Sequence, residues 1–501
     1  MPTSRRDVIY AFLLALTAFS LYIGFLSKAY VFEGLIRAMP IETGRWVHLF
    51  AGNYLLYGPL GLVFHALLQG LGFHHLAVIS LQAMDALLGA AGVFVFYLTL
   101  RRLGGDTASC VIWSIVLGCS LGYWLWSTEA EDYILSTFLL LTNFHYLVRS
   151  MRQDRVDPVI LGALHGLAIL GHIVNVIFGA VVLWFLYIKF GQGWFKPARR
   201  YAGAAAVVVL GAYGTVIAFI QKPASLRGAL NWFEGSAALG QGAMNWGGGF
   251  TLAKLGQWAA MSLRILGPFP LNNYYTPHPW ACAPLFLFAA WSLFACFFLV
   301  LVTHGRAVYR KDPAVVGGCA IWLLIYALMF TRWEPWTMVY RVSDLVPLCV
   351  LLFLGCREVA DHHGAWRGAA AALACCLAIG NLGAEIYPRS FASNNSNLER
   401  MAFLKANTVE GDWITGDGGQ DEIYIPYFAQ RRPIVVQRYT RQPGLLVGLI
   451  DALQAHKQSV YVTSRVLSSG PWKAFFKRYQ LAVKATGPRG FVLYRVGKEK
   501  I

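Results

Sequence analysis

Long apolar runs constrain this chain more than any other feature. Val8 to Leu26, Ala77 to Leu100 and Ala281 to Val302 each reach the roughly 20 residues that a helix needs to cross a bilayer's hydrocarbon core. The runs neither alternate nor follow one helical face, and a helix buried in a soluble core would be shorter. Only 13% of the residues are charged and 57% are hydrophobic, whereas soluble domains run at about a quarter charged. Most of the surface must therefore face something other than water. Arg5 and Arg6 give the first run a signal-like basic start. No small-residue cleavage site follows it, so it is expected to stay as the first span.

Eleven spans are expected, at roughly 8–27, 77–100, 107–124, 133–150, 157–170, 173–190, 200–220, 281–303, 314–330, 339–357 and 367–387. The stretch 157–190 would form a helix of about 51 Å, too long for one ordinary crossing, so a hairpin broken near Gly171 is expected there. The net charge of +17 raises the question of nucleic acid. Its distribution answers otherwise. The Lys and Arg residues recur in alternate short connections, as Arg101/Arg102, Arg149/Arg152/Arg155, Lys189/Lys196/Arg199/Arg200, Arg306/Arg310/Lys311 and Arg357/Arg367. That alternation is the positive-inside pattern, and it predicts a cytoplasmic N-terminus and no nucleic-acid partner. All nine cysteines lie in or beside predicted spans, with no disulfide framework and no Cys-x-x-Cys metal pattern.

The fold class expected is an α-helical polytopic membrane protein of about eleven transmembrane helices with a small C-terminal α/β extracytoplasmic domain. Residues 1–390 form the membrane part, with long outer loops at 28–76 and 221–280, and residues 391–501 form the soluble domain. In the first loop, Leu55 to Leu68 is expected to lie along the interface. The second is rich in Gly, Trp and Asn, at Asn245 to Gly249 and Asn272 to Tyr275. In the C-terminal domain helices are predicted at Asn397 to Asn407 and Leu445 to His456. Strands are predicted at Trp413 to Thr415, Pro433 to Gln437, Ser459 to Thr463 and Phe491 to Val496. The Gly416-Asp417-Gly418-Gly419 stretch reads as a turn, with phosphate binding the alternative.

In a chain this poor in acids, the placement of the few it has is informative. Glu33 follows the first span closely, with Glu42 in the same loop, and Glu129, Glu131 and Asp132 cluster between the third and fourth spans. At mid-bilayer each would cost about 2.5–3.5 kcal/mol, so they are expected at the turn, at one face of the membrane rather than within spans. The bland alternative is that they only wet that turn. Arg332 and Arg341 supply cations near the last spans, suited to bidentate phosphate contacts, or alternatively to snorkelling or pairing with Glu334 and Asp344. His172 and Asn175 lie near the hairpin break, where a satisfied buried histidine is the plainer reading.

This layout resembles the GT-C superfamily of membrane glycosyltransferases that use polyprenyl-phosphate sugars, including protein O-mannosyltransferases and lipid A aminoarabinose transferases. Glu33 with Ile41-Glu42-Thr43-Gly44-Arg45-Trp46 is similar to the first-loop acidic motif, although Phe32 stands before Glu33. Ala130-Glu131-Asp132-Tyr133 resembles the Ala-Glu-x-Tyr segment, and Glu129 to Glu131 sits where oligosaccharyltransferases carry their second acidic pair. Gly166-Leu167-Ala168 with His172 and Asn175, and Tyr340-Arg341 before Pro347, resemble later segments of the family.

The resemblance implies transfer of a sugar from a polyprenyl-phosphate donor to a hydroxyl of a lipid, glycan or protein acceptor, with inversion, on the extracytoplasmic face of a bacterial inner membrane. It implies Glu33 as base with Glu131 as its rival, and Glu129 and Asp132 beside them. Arg341, Arg332 and His172 would hold the donor phosphate, and Asn53, Tyr54 and Tyr57 the sugar or acceptor. A divalent metal, Mg or Mn, at Glu33, Glu129 and Glu131 is the alternative that oligosaccharyltransferases suggest. The rival classes are a transporter or flippase of a lipid-linked sugar, disfavoured because no internal repeat is evident and the acids sit at one face. A polysaccharide polymerase or ligase would instead carry a large late loop dominated by Arg and His.

Overall fold

A computed structural model of the chain describes residues 4–153, 156–234, 249–268, 280–359 and 363–499. Of the Asn245–Gly249 and Asn272–Tyr275 stretches, all but Gly249 lie outside the described residues. The chain divides into two compact units, one of residues 1–27 and 40–390, the other of residues 28–39 and 391–501. The first outer loop expected from the sequence is thus shared between the units.

The first unit is helical. It comprises α1 (Arg5–Gly24), the C-terminal end of α2 (Phe32–Thr43), α3 (Tyr57–Gly70), α4 (Ala77–Arg102), α5 (Thr107–Cys119), α6 (Leu121–Trp126), α7 (Asp132–Gln153) and α8 (Pro158–Gly171). It continues with α9 (Gly179–Phe190), α10 (Phe195–Thr215), α11 (Leu226–Glu234), α12 (Leu252–Arg264), α13 (Ala283–Lys311), α14 (Pro313–Trp333), α15 (Leu345–Glu358) and α16 (His363–Asn381). The boundary between the units falls inside α2, beside Pro40. A proline there can donate no helical hydrogen bond.

Each of the eleven expected spans is helical over most of its length. Among the described residues, seven helical stretches are by themselves long and apolar enough to cross a membrane. One of them, Ile173–Gln221, contains both α9 and α10, separated at Gly191 with φ +52°. The chain is a polytopic membrane protein. The break in the 157–190 stretch comes at Gly171, where α8 ends. His172 then turns extended, and its Nδ1 accepts the backbone N–H of Val174 at 3.1 Å to start a 3-10 turn, Ile173–Phe178.

Close helix approach is built on glycine. A Cβ on Gly162 would lie 2.3 Å from the carbonyl oxygen of Tyr201, and one on Gly166 would lie 2.8 Å from Val208 Cβ. This Gly-x-x-x-Gly face lets α8 pack backbone-close on α10, the geometry membrane helices use where no hydrophobic drive separates helix from lipid. On α4, Gly92 does the same beneath the Tyr123 hydroxyl, which in turn donates to the carbonyl of Gly89 at 2.9 Å.

The second unit is a small α/β domain. It has α17 (Ser396–Asn407), β1 (Trp413–Gly416), β2 (Arg432–Val435), α18 (Pro443–Ala455), β3 (Val460–Thr463), β4 (Tyr479–Thr486) and β5 (Val492–Glu499). The sheet order is β2-β1-β3-β5-β4, with β2, β1 and β3 parallel and β5 antiparallel to both β3 and β4. Its core is Ile434, Leu446, Ile450, Val460, Val462, Trp472 and Phe476. Residues 28–30 are tied into this unit. Asn395 Nδ2 donates to the carbonyl of Lys28 at 2.7 Å, and the Tyr424 hydroxyl donates to that of Tyr30 at 2.7 Å.

The β4 strand is absent from the sequence reading. It is a half-exposed edge whose Lys484 interrupts the apolar alternation that marks the other strands. The Gly416–Gly419 stretch is a turn, with Gly418 and Gly419 at positive φ.

Candidate active site

The second acidic turn joins α6 to α7, and α4 holds it shut. Gln82 Nε2 donates to the carbonyls of Ser27 and Thr128 at 2.7 and 3.0 Å, and the Ser27 N–H donates to the Thr128 carbonyl at 3.1 Å. Glu129 is 0% exposed, Glu131 4% and Asp132 2%. The alternative that these acids merely wet a turn does not hold, because a solvated turn leaves its carboxylates in water.

Glu129 has a cationic counterpart that the sequence reading missed. Its Oε1 accepts from the Ser27 hydroxyl and lies 3.3 Å from Arg389 Nη1. Arg389 Nε donates to Glu385 Oε2 at 3.0 Å, and Arg264 Nη2 stands 3.8 Å from the other Glu385 oxygen. Buried ions persist only when paired and hydrogen-bonded, and this chain of four alternates in sign.

A further acid was passed over altogether. Asp85 lies inside α4 and is 0% exposed, so not all the acids sit at one face outside the spans. Its Oδ2 accepts the Tyr57 hydroxyl at 2.6 Å and the backbone N–H of Glu131 at 3.0 Å. Its Oδ1 has no hydrogen-bond partner among the described residues. The signal was present, since one carboxylate in an otherwise apolar span costs about 2.5–3.5 kcal/mol and marks function by default.

The candidate cations part company. Arg332 is exposed. Arg341 is 0% exposed, with its guanidinium carbon 5.1 Å from the ring centre of Phe330 and 5.5 Å from that of Trp258. Asp344 Oδ2 is 3.5 Å from its Nη1, and Nε, Nη1 and Nη2 make no hydrogen bond among the described residues. Glu334 is engaged elsewhere, accepting from the hydroxyls of Thr337 at 3.1 Å and Tyr340 at 3.2 Å.

An aromatic wall links Arg341 to the acidic turn. Tyr340 stacks on Phe330 with centroids 4.7 Å apart, and Tyr133, which follows Asp132, meets Tyr340 at 5.3 Å. His172 lies 5.1 Å from Tyr133 and 4.8 Å from Tyr54, and the hydroxyls of Tyr54 and Tyr133 are 3.2 Å apart. A cleft beside this wall is lined by Tyr133, His172, Asn175, Tyr326, Tyr340 and Ser343. Because His172 Nδ1 accepts from Val174, a neutral ring carries its proton on Nε2 and is a donor there. Both Nδ2 hydrogens of Asn175 are used, on the Ser136 hydroxyl and the Ala168 carbonyl, and its Oδ1 accepts from the Tyr326 hydroxyl.

The segment from Gly52 to Tyr57 is pinned against this region by its backbone. The Asn53 carbonyl accepts from Ile173 N–H at 3.0 Å, and the Gly52 carbonyl accepts from the Tyr213 hydroxyl at 2.6 Å. Asn53 and Tyr54 are half-buried, and Tyr57 is buried on Asp85. Glu33 is in the other unit, exposed in the first turn of α2.

No group of three or more His, Cys, Asp or Glu side chains among the described residues is placed to hold a metal ion. The oxygen of Glu129 nearest Arg389 is already neutralised by it, which disfavours Glu129 as a ligand.

No family model matches the chain, and no curated protein matches it in sequence. Solved structures do match it. The aminoarabinose transferase ArnT of Cupriavidus metallidurans, bound to undecaprenyl phosphate, aligns with a TM-score of 0.66 at 13% identity over 98% of each chain. The Archaeoglobus fulgidus oligosaccharyltransferase tethered to an acceptor peptide aligns at 0.52 and 14% identity, over 97% of this chain and 74% of that one. The same archaeal enzyme, AglB, in complex with an inhibitory peptide and a dolichol-phosphate, aligns at 0.50 and 12% identity. Both proteins are GT-C superfamily members, and the chain described here has the GT-C fold.

Proposed function

We propose that this chain is a membrane glycosyltransferase that moves a sugar from a polyprenyl-phosphate donor to a hydroxyl acceptor, with inversion. The observation that carries the reading is Arg341. A guanidinium buried on two aromatic rings, with no hydrogen bond from its three nitrogens among the described residues, is a ready partner for a phosphate. The Nε2–H of His172 is a second donor beside the aromatic wall, in keeping with a phosphate or sugar role there.

In the reaction, the acceptor oxygen attacks the anomeric carbon while the bond from that carbon to the phosphate oxygen breaks. The phosphate leaves with the electron pair, and a carboxylate takes the hydroxyl proton. The donor phosphate carries one negative charge and gains a second as it leaves. A fixed guanidinium therefore binds the transition state more strongly than the ground state, which is what accelerates the step. Glu33 is our candidate for the base and Glu131 its rival, with Glu129 and Asp132 shaping the field at the second turn. Asn53 and Tyr54 are candidates for sugar or acceptor contacts. Tyr57, bound to Asp85, serves better as support. Arg332, which is exposed, is a candidate for a lipid phosphate at the outer membrane surface. The charge alternation supports a cytoplasmic N-terminus and an extracytoplasmic C-terminal domain, and we assign the protein to a bacterial inner membrane.

The test is turnover by the purified chain in nanodiscs. Labelled polyprenyl-phosphate sugars are offered with lipid, glycan and peptide hydroxyl acceptors, and labelled product and released polyprenyl phosphate are counted. Sugar transferred one-for-one with phosphate released is expected. Movement of intact lipid-linked sugar across the bilayer with no bond cleaved would overturn the reading in favour of a transporter, the class to which an acid within a span also belongs.

A further inference from the structure

We propose that Asp85 is the positioning residue of the second acidic turn, acting through one oxygen on the backbone of Glu131. The inference rests on the transfer reading above, in which the groups of that turn serve the reaction. Oδ2 accepts from two elements at once, from Tyr57 at the start of α3 (2.6 Å) and from the N–H of Glu131, the residue before α7 begins (3.0 Å). A single atom on α4 thereby registers the Asn53–Tyr57 segment and the Glu131–Asp132 pair against the same helix.

The choice of residue is what separates positioning from mere support. Asp85 is completely buried, no cation is paired with it among the described residues, and its Oδ1 has no hydrogen bond there. A strut selected for stability would be apolar, since an unpaired carboxylate inside a membrane helix works against insertion. Keeping a carboxylate there makes sense where two donors from separate elements must be fixed to within tenths of an ångström. Small displacements of reacting groups cost large factors in rate.

The substitutions that discriminate are Asp85→Leu, which removes both acceptors, and Asp85→Asn, whose carbonyl oxygen can still accept from both donors. Both are made in the full chain in nanodiscs. Expected for Asp85→Leu are a kcat at least about tenfold lower and a donor KM within about twofold of wild type. Its rate loss should persist well below its thermal midpoint, and hydrogen exchange at the Glu131 amide should be faster. Asp85→Asn should retain kcat within about threefold. A wild-type kcat, an unchanged Glu131 exchange rate, or a rate loss that disappears well below the thermal midpoint in Asp85→Leu would each overturn the proposal. So would an Asp85→Asn as slow as Asp85→Leu, because the charge and not the hydrogen bonds would then matter. The exchange measurement is independent of turnover. Faster exchange at Glu131 in a chain whose wild type transfers no sugar counts against the transfer reading and not against the tie.

Discussion

Replacing Arg341 by lysine is the most direct probe of the proposed phosphate site. The ion contact with Asp344 at 3.5 Å and the two rings hold the guanidinium, while its Nε, Nη1 and Nη2 are left without hydrogen bonds among the described residues. Lysine keeps the positive charge, and with it the charge balance of Asp344, but loses the second arm of a bidentate contact. One charge-assisted hydrogen bond is worth about 1.5–3 kcal/mol, which converts to roughly a tenfold to hundredfold loss in donor affinity. Arg341→Met would add the cost of leaving Asp344 buried and unpaired, about 3–5 kcal/mol, so its weaker binding would be mixed with instability. Arg341→Met/Asp344→Asn removes that confusion. The assay is equilibrium binding of radiolabelled polyprenyl phosphate to protein in nanodiscs, with Arg306→Ala as control because Arg306 is exposed on α13. Wild-type affinity in both Arg341→Lys and the double variant would refute the phosphate assignment.

The remaining predictions address base, topology and packing. Glu33→Gln keeps the shape and cannot take a proton, so transfer should fall by at least about a hundredfold with donor binding intact. Loss in Glu131→Gln alone would move the base to the second turn, and loss in neither would sink the mechanism. Glu42→Gln should lose little, because its acidic partner role is an acceptor bond to the Ala77 N–H at the start of α4 and glutamine still accepts. A reporter active only outside the cytoplasm, fused after Ile501, should be active. A silent fusion with an active cytoplasmic one would mean an even number of crossings. Gly162→Val pushes carbon into the Tyr201 carbonyl and should destabilise the detergent-solubilised protein by about 1–3 kcal/mol, and an unchanged thermal midpoint would contradict the α8–α10 seam.

Much of the architecture was legible because lipid and water impose strong, local rules. The apolar runs located the helices, Gly171 marked the break before α9, and the change in composition after the last span announced the α/β unit. The cluster Glu129 to Asp132 stood out by its charge, and Arg341 by its neighbours. What escaped depends on pairing at long range. Glu129 meets Arg389 across 260 residues, and nothing in either neighbourhood signals the other. Asp85 was hidden by the strength of the apolar run around it, in which a single carboxylate hardly changes the signal of a span. The grouping of residues 28–39 with the C-terminal unit rests on hydrogen bonds from Asn395 and Tyr424 to backbone carbonyls, which leave no side-chain pattern in the partner segment. β4 escaped because an edge strand with a half-exposed face carries little alternation.

The row Arg264–Glu385–Arg389–Glu129 has a consequence for how such sequences drift. Its two positive and two negative groups cancel, so losing any one member leaves the row out of balance by one charge, and every member but Arg264 is buried. Single replacements are therefore purged, and the tolerated changes are concerted ones, such as a glutamate and its arginine turning apolar together. Across relatives these four columns should covary as a block while the exposed charges of the same helices vary freely. A lineage that has dissolved the block should show compensating bulk at all four places at once, so the quartet would be inherited as one character spread over three distant stretches of chain.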